Sequence, residues 1–285
     1  MKHFLIYTNR HKDVGLRMTD RICRYLEEKG QEYSIRMQEA DQEIAEAFSE
    51  TDFPIHADYM IVLGGDGTML QAAREQKKQQ IPLIGVNLGT LGYMTEIETG
   101  NIEEALQALI EGNFQTEMRM MLSGRIFFRD GRAEKGYALN DIVIVRSGSL
   151  RIIRYHIYVN GQFLNGYSAD GVIVTTPTGS TGYNLSAGGP IVEPRASLIV
   201  LTPICPHTLN QRSIILSPED VIEIEIPKGS DGQEQVMEAS FDGSQNVLLQ
   251  TGDRIRIEKS EKITEIIQLN QVSFLEVLHH KLSES

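Results

Sequence analysis

Tyr59-Met60-Ile61-Val62-Leu63-Gly64-Gly65-Asp66-Gly67-Thr68 decides the reading of the first half of the chain. Tyr59 to Leu63 is an apolar run with no outward polar face, as expected of a strand buried on both sides of a parallel sheet. Three glycines follow within four positions, and a helical pattern runs from Met69 to Lys78. A glycine-rich turn between strand and helix lets backbone N–H groups approach a ligand. The helix start beyond it favours an anion. The spacing matches neither GxGxxG nor a Walker loop, because no lysine follows the last glycine. Positive charge must therefore come from elsewhere in the chain or from a metal carried by the substrate. A carboxylate repels phosphate, so Asp66 is out of place as a phosphate ligand. Two readings stand: it acts on a substrate hydroxyl as base or orienter, or it caps the helix.

Working outward, the same alternation repeats. Phe4 to Tyr7 reads as a buried strand, and Val14, Met18, Ile22 and Tyr25 recur at helical spacing before Gly30. Tyr33 to Arg36 is a short strand, and the acidic stretch Glu39 to Glu50 is a solvated helix or a loop. Ile81 to Val86 is the next strand. Asn101 and Glu104 form a capping-box-like pair before a helix that Gly112 ends. The β-α order predicts an open, mostly parallel sheet with right-handed crossovers. Near residue 118 the pattern changes to short strands: Ile142 to Val145, Ile157 to Val159, Val172 to Val174, Leu198 to Leu201, Val221 to Ile226, Val247 to Leu249, Ile255 to Ile257 and Ile263 to Leu269. Asn160-Gly161 is a two-residue hairpin signal. The chain is thus expected to carry an α/β domain over 1–117, an all-β domain over 118–270, and a tail, 271–285, that returns to the first.

Composition narrows the function. Asp plus Glu number 39 against 27 Lys plus Arg, a net charge of -12, which argues against nucleic-acid binding. No apolar run approaches a membrane span. The two cysteines, Cys23 and Cys205, lie far apart and predict a reduced, cytoplasmic protein. The seven histidines show no metal-ligand spacing, so no protein-held metal site is expected.

The block Asp170-Gly171-Val172-Ile173-Val174-Thr175-Thr176-Pro177-Thr178-Gly179-Ser180-Thr181-Gly182-Tyr183, running on through Ser186 to Pro190, places hydroxyls and glycines after an apolar strand. It reads as the lining of a polar pocket, with Tyr183 offering a flat face to a base, or as an ordinary polar loop. Asn87 to Tyr93 follows a strand where α/β sheets place ligand loops. Alone, Asn140-Asp141 reads as a turn and Phe241-Asp242-Gly243 as a hairpin turn.

Together with Thr202-Pro203-Ile204-Cys205-Pro206-His207, these motifs resemble the NAD kinase family in its bacterial cytosolic branch, in the family's order and over about three quarters of the chain. The GGDG element is shared with phosphofructokinases and with diacylglycerol and sphingosine kinases; the Asp170–Pro190 block is more specific. The resemblance implies transfer of a phosphoryl group from ATP or polyphosphate to the 2′-hydroxyl of the adenosine ribose of NAD, giving NADP. A divalent metal, Mg²⁺, would arrive with ATP. Carried over by motif, Asp66 activates or orients the hydroxyl, and Gly67 positions the pyrophosphate region. Tyr93, Asn140, Thr178 and Thr181 hold the adenine end; Asp141, Asp170, Gly182, Tyr183 and Ser186 hold the nicotinamide riboside end. Asp242 sits near the phosphate-transfer site. A homodimer or homotetramer is implied. The family usually has Glu where Asp141 stands and Ala where Gly182 stands, so a direct ribose contact becomes water-mediated and the pocket wall loses a methyl. A diacylglycerol-type lipid kinase and a non-catalytic dinucleotide sensor are the competing readings. The absence of a basic amphipathic stretch speaks against the first, and the presence of Asp66 against the second.

Overall fold

A computed structural model describes residues 1–38, 56–76, 80–89, 92–148, 152–207, 212–269 and 273–283. The acidic stretch Glu39 to Glu50 lies outside them, as do Thr90 and Leu91. The described residues form two compact units, one from the chain up to Arg119 together with Thr264 onward, the other from Met120–Ile263. The return to the first unit thus begins at Thr264, earlier than the expected 271, inside the strand Arg254–Gln268.

The first unit is α/β. His3–Thr8 pairs in parallel with Glu32–Met37 on one side and Tyr59–Gly64 on the other, and Leu83–Asn87 continues the sheet. Thr95–Glu98 and Ile266 add further parallel pairing beside Leu83–Asn87. Residues Met60 to Gly64 are all buried, so the unbroken apolar run reflects cover on both faces. The helix Arg17–Glu28 buries Ile22, Cys23 and Leu26, and Ile102–Glu111 buries Ile102, Leu106 and Leu109. Both contribute to one core with Phe4, Ile6, Ile61 and Ile84. The expected helix end at Gly112 is found, with Gly112 left-handed (φ 79°), but the Asn101–Glu104 capping pair is not made. A 3₁₀ turn, Thr99–Asn101, precedes the helix, and Asn101 gives no side-chain cap. In the same way the helix expected from Met69 begins earlier, at Asp66.

The second unit is antiparallel. Ile214–Leu216, Ile199–Ile204, Gly171–Thr175, Asp141–Arg146, Val236–Phe241 and Gln245–Gln250 lie side by side in that order. Gln162–Ala169, Ile153–Val159, Ile222–Glu225 and the first residues of Arg254–Gln268 pair in a further antiparallel set. A core holding Ile142, Ile144, Val172 and Val174 from the first set and Tyr155, Ile157, Ile222 and Ile255 from the second joins them. The hairpin at Asn160-Gly161 is present, with φ of 51° and 76°.

Candidate active site

In the first unit three loops leave the carboxyl ends of neighbouring parallel strands, where α/β sheets place ligands. They follow His3–Thr8, Tyr59–Gly64 and Leu83–Asn87, and backbone bonds tie them: Asn9 N–H donates to Leu63 O and Leu88 N–H to Gly64 O. Gly65 is the N-cap of the helix Asp66–Glu75 and has no side chain to occupy the free amides there. Asp66 is half-buried and does not cap. Its Oδ2 accepts from Tyr93 N–H at 2.8 Å and its Oδ1 from Met94 N–H at 3.1 Å. The capping alternative for Asp66 is therefore not what the structure contains. Gly92 makes this possible, since a methyl group there would occupy the space of the Asp66 carboxylate. Gly67 is exposed beside it.

One cation missing from the sequence reading is here. The Lys12 ammonium lies 2.7 Å from where a Cβ on Gly65 would stand. Lys12 is held on its loop by Asn9, whose Oδ1 accepts from His11 N–H and Lys12 N–H. The loop that lacked a following lysine thus has one beside it from another strand end. Its only sequence signal was a basic residue just past the first strand.

In the second unit the turn Leu139–Asp141 packs on Thr175 to Gly182. Asn140 O accepts from Thr176 N–H (2.9 Å) and Thr175 Oγ1 (2.9 Å), and Leu139 O accepts from Thr176 Oγ1 (2.6 Å). Thr178 is buried, Thr181 and Gly182 are half-buried, and Tyr183 and Ser186 are exposed. A Cβ on Gly182 would stand 3.5 Å from Asn140 Nδ2 and 4.0 Å from Asp141 Oδ2, so Asn140, Asp141 and Gly182 share one wall. Among the described residues Asn140 Oδ1 is buried without a hydrogen-bond partner, an acceptor left for a ligand. Asp141 is 5% exposed, and burial, with the Asp242 carboxylate second, pushes its carboxyl up to about 7. Asp242 Oδ1 accepts from Asn140 N–H (2.8 Å) and Asp141 N–H (3.1 Å), and Oδ2 from Leu139 N–H (2.9 Å). Asp170 is not with this group. It precedes Gly171–Thr175, so the strand, roughly 20 Å from Asp170 to Thr176, separates it from this group, and it faces Arg146 Nε at 3.3 Å.

Among the described residues no three His, Cys, Asp or Glu side chains converge on a metal position. No helix among them is long and apolar enough to cross a membrane.

Two family models match: the ATP-NAD kinase N-terminal domain over residues 4–114 and the ATP-NAD kinase C-terminal domain over residues 139–269. An NAD kinase of Lachnospira eligens is 46% identical, the match covering 99% of this chain and 100% of that one. One of Agathobacter rectalis is 44% identical, with 99% of each covered. Among solved structures, yeast NADH kinase complexed with NADH superposes with a TM-score of 0.88 at 25% identity, covering 99% of this chain and 88% of that one. An Archaeoglobus fulgidus NAD kinase in complex with ATP superposes with 0.77 at 26% identity, covering both chains fully. These relatives do not favour the lipid-kinase or sensor readings. With both family models matched and full-length relatives well above 30% identity, the chain is a phosphotransferase enzyme and belongs to the NAD kinase family.

Proposed function

We propose that the chain transfers the terminal phosphoryl group of ATP to the 2′-hydroxyl of the adenosine ribose of NAD, with Asp66 as the residue that orients and deprotonates that hydroxyl. The observation that carries this is the anchoring of Asp66. Two backbone N–H groups hold its two oxygens, and each oxygen keeps further acceptor capacity. A carboxylate so fixed can take the hydroxyl proton as the oxygen bonds to phosphorus and the bond to the bridging oxygen breaks, releasing ADP. The amides at Gly65 to Gly67 and the Lys12 ammonium would hold the phosphoryl oxygens, supplying the charge that the glycine loop lacks.

The loop offers one carboxylate and several donors. That suits a divalent ion brought by the triphosphate better than a resident site. When bound with ATP, Mg²⁺ would neutralise phosphate charge next to Asp66. On the dinucleotide side, Asn140 Oδ1, unpaired among the described residues, suits an exocyclic amine of adenine, with Thr178 and Thr181 of the same unit as further contacts. Asp141, Gly182, Tyr183 and Ser186 are assigned to the nicotinamide riboside end, and Asp170, at the far end of Gly171–Thr175 beside Arg146, is left out of that group. A homo-oligomer and a cytoplasmic setting complete the reading, the latter supported by two free cysteines, one buried and one exposed.

The test is NADP formation by the purified chain with NAD, ATP and Mg²⁺, repeated with NADH as acceptor and polyphosphate as donor. Metal-dependent NADP formation is expected. A folded protein that yields no phosphorylated dinucleotide with any pair overturns the proposal.

A further inference from the structure

We propose that Asp242 is a positioning residue for the dinucleotide: it builds the turn that presents Asn140 and Asp141 and does not touch the transferred phosphoryl group. This rests on the reading of that turn as part of the NAD site. An ionised carboxylate offers about four acceptor positions. Three of those of Asp242 are filled by consecutive backbone N–H groups, those of Leu139, Asn140 and Asp141. Its own N–H donates to Asp141 O at 3.0 Å, so four hydrogen bonds join one residue to a three-residue turn.

The position of the carboxylate is itself fixed. Asp242 (φ 50°) and Gly243 (φ 72°) are the two left-handed residues of the tight turn between Val236–Phe241 and Gln245–Gln250. Phe241, just before, is fully buried, and its ring fills the space a side chain would take at Gly124 and Gly136. The amides of the Leu139–Asp141 turn thus go to Asp242, and the carbonyls of Leu139 and Asn140 go to Thr175 and Thr176. Among the described residues, the acceptors left over on the turn are the side-chain oxygen of Asn140 and the carboxyl of Asp141. A carboxylate already spent on three amides is poorly placed to bind phosphate, which it would repel.

The test compares Asp242→Ala and Asp242→Asn with the unaltered chain in steady-state NADP formation, with NAD and ATP varied separately. Asn keeps one acceptor oxygen but turns an NH₂ toward a backbone N–H. The KM for NAD is expected to rise about 100-fold for Ala and about 10-fold for Asn, with kcat within about 3-fold and the KM for ATP unchanged. In a background carrying both Asn140→Ala and Asp141→Ala, Asp242→Asn is expected to add less than about 2-fold to the KM for NAD, since both side chains the turn presents are gone. A fall in kcat at unchanged KM for NAD places Asp242 at the transferred phosphate and overturns the proposal. Unchanged kinetics in an active enzyme, or an Asp242→Asn chain that shows no cooperative melt, overturns it too. Absence of NADP formation by the unaltered chain would instead overturn the kinase reading itself.

Discussion

Asp66 and Asp141 stand at comparable places, each at the end of an interior strand in its own unit, yet their surroundings differ. Asp66 is half-buried, and two backbone N–H groups take one oxygen each. Asp141 is 5% exposed, its carboxyl accepts no hydrogen bond among the described residues, and the three backbone N–H groups of its turn go to Asp242. Burial without donors pushes Asp141 toward neutrality, to about 7, so near physiological pH it is an acid as often as a base. Burial without donors thus sets Asp141 apart as a carboxyl able to donate a hydrogen bond.

Removing the held carboxylate is the sharpest way to test this. Asp66→Asn is expected to lower kcat by about 10³-fold, with NAD binding retained. Gly92→Ala leaves Asp66 in the chain but puts a methyl group where its carboxylate lies, and is expected to cost about 10²-fold in kcat. If Asp66→Asn keeps near-normal kcat, the contrast between the two carboxylates has no catalytic meaning. If Gly92→Ala does so, the anchoring of Asp66 is not what matters.

Asp141 gives the next largest effect, on stability. Its folded-state value, about 7, lies above the ordinary 3.8, so between those values the folded chain holds a proton that the unfolded chain releases. This group's contribution is therefore most favourable below about pH 4, declines as pH rises to about 7 and is constant above. Denaturant unfolding of the unaltered chain and Asp141→Asn is expected to show the variant gaining about 2 kcal/mol relative to the unaltered chain between pH 5 and pH 8. An equal difference at both pH values would mean that Asp141 is not held protonated.

Lys12→Ala is expected to raise the KM for ATP about 10-fold, about 1.4 kcal/mol, with the KM for NAD unchanged and partial recovery in Lys12→Arg. A change in the KM for NAD alone would remove Lys12 from the donor side. The smallest effect is at Gly182→Ala. The added methyl stands 3.3 Å from Gly179 O and 3.5 Å from Asn140 Nδ2, and an approximately 3-fold change in the KM for NAD with constant kcat is expected. A change in kcat there would tie the shared wall to the chemistry instead.

Much of the architecture was legible because local physics set it. The unbroken run before Gly64 required burial on two faces, and Asn160-Gly161 required a hairpin. The strands that were missed carry weaker signals. Thr95–Glu98 is four residues of mixed polarity, and Gln115–Phe127 with Ala133–Ala138 contain Glu, Arg, Lys and Gly, tolerated because pairing satisfies the backbone. Ile255 to Ile257 and Ile263 to Leu269 proved to be one strand, Arg254–Gln268, because paired backbone carries the polar Glu258 to Lys262 between them.

The sequence by itself determined the glycine loop after a buried strand, the hydroxyl-rich block and the order of motifs, since each is a matter of neighbours along the chain. Only the tertiary structure decided that Asp66 is held by the loop at Tyr93, that Lys12 stands beside Gly65, and that Asp242 closes on Leu139 to Asp141. The last contact spans about a hundred residues. Such contacts depend on which strands lie side by side, and sheet pairing is fixed by the packing of the whole core, which residue spacing does not encode.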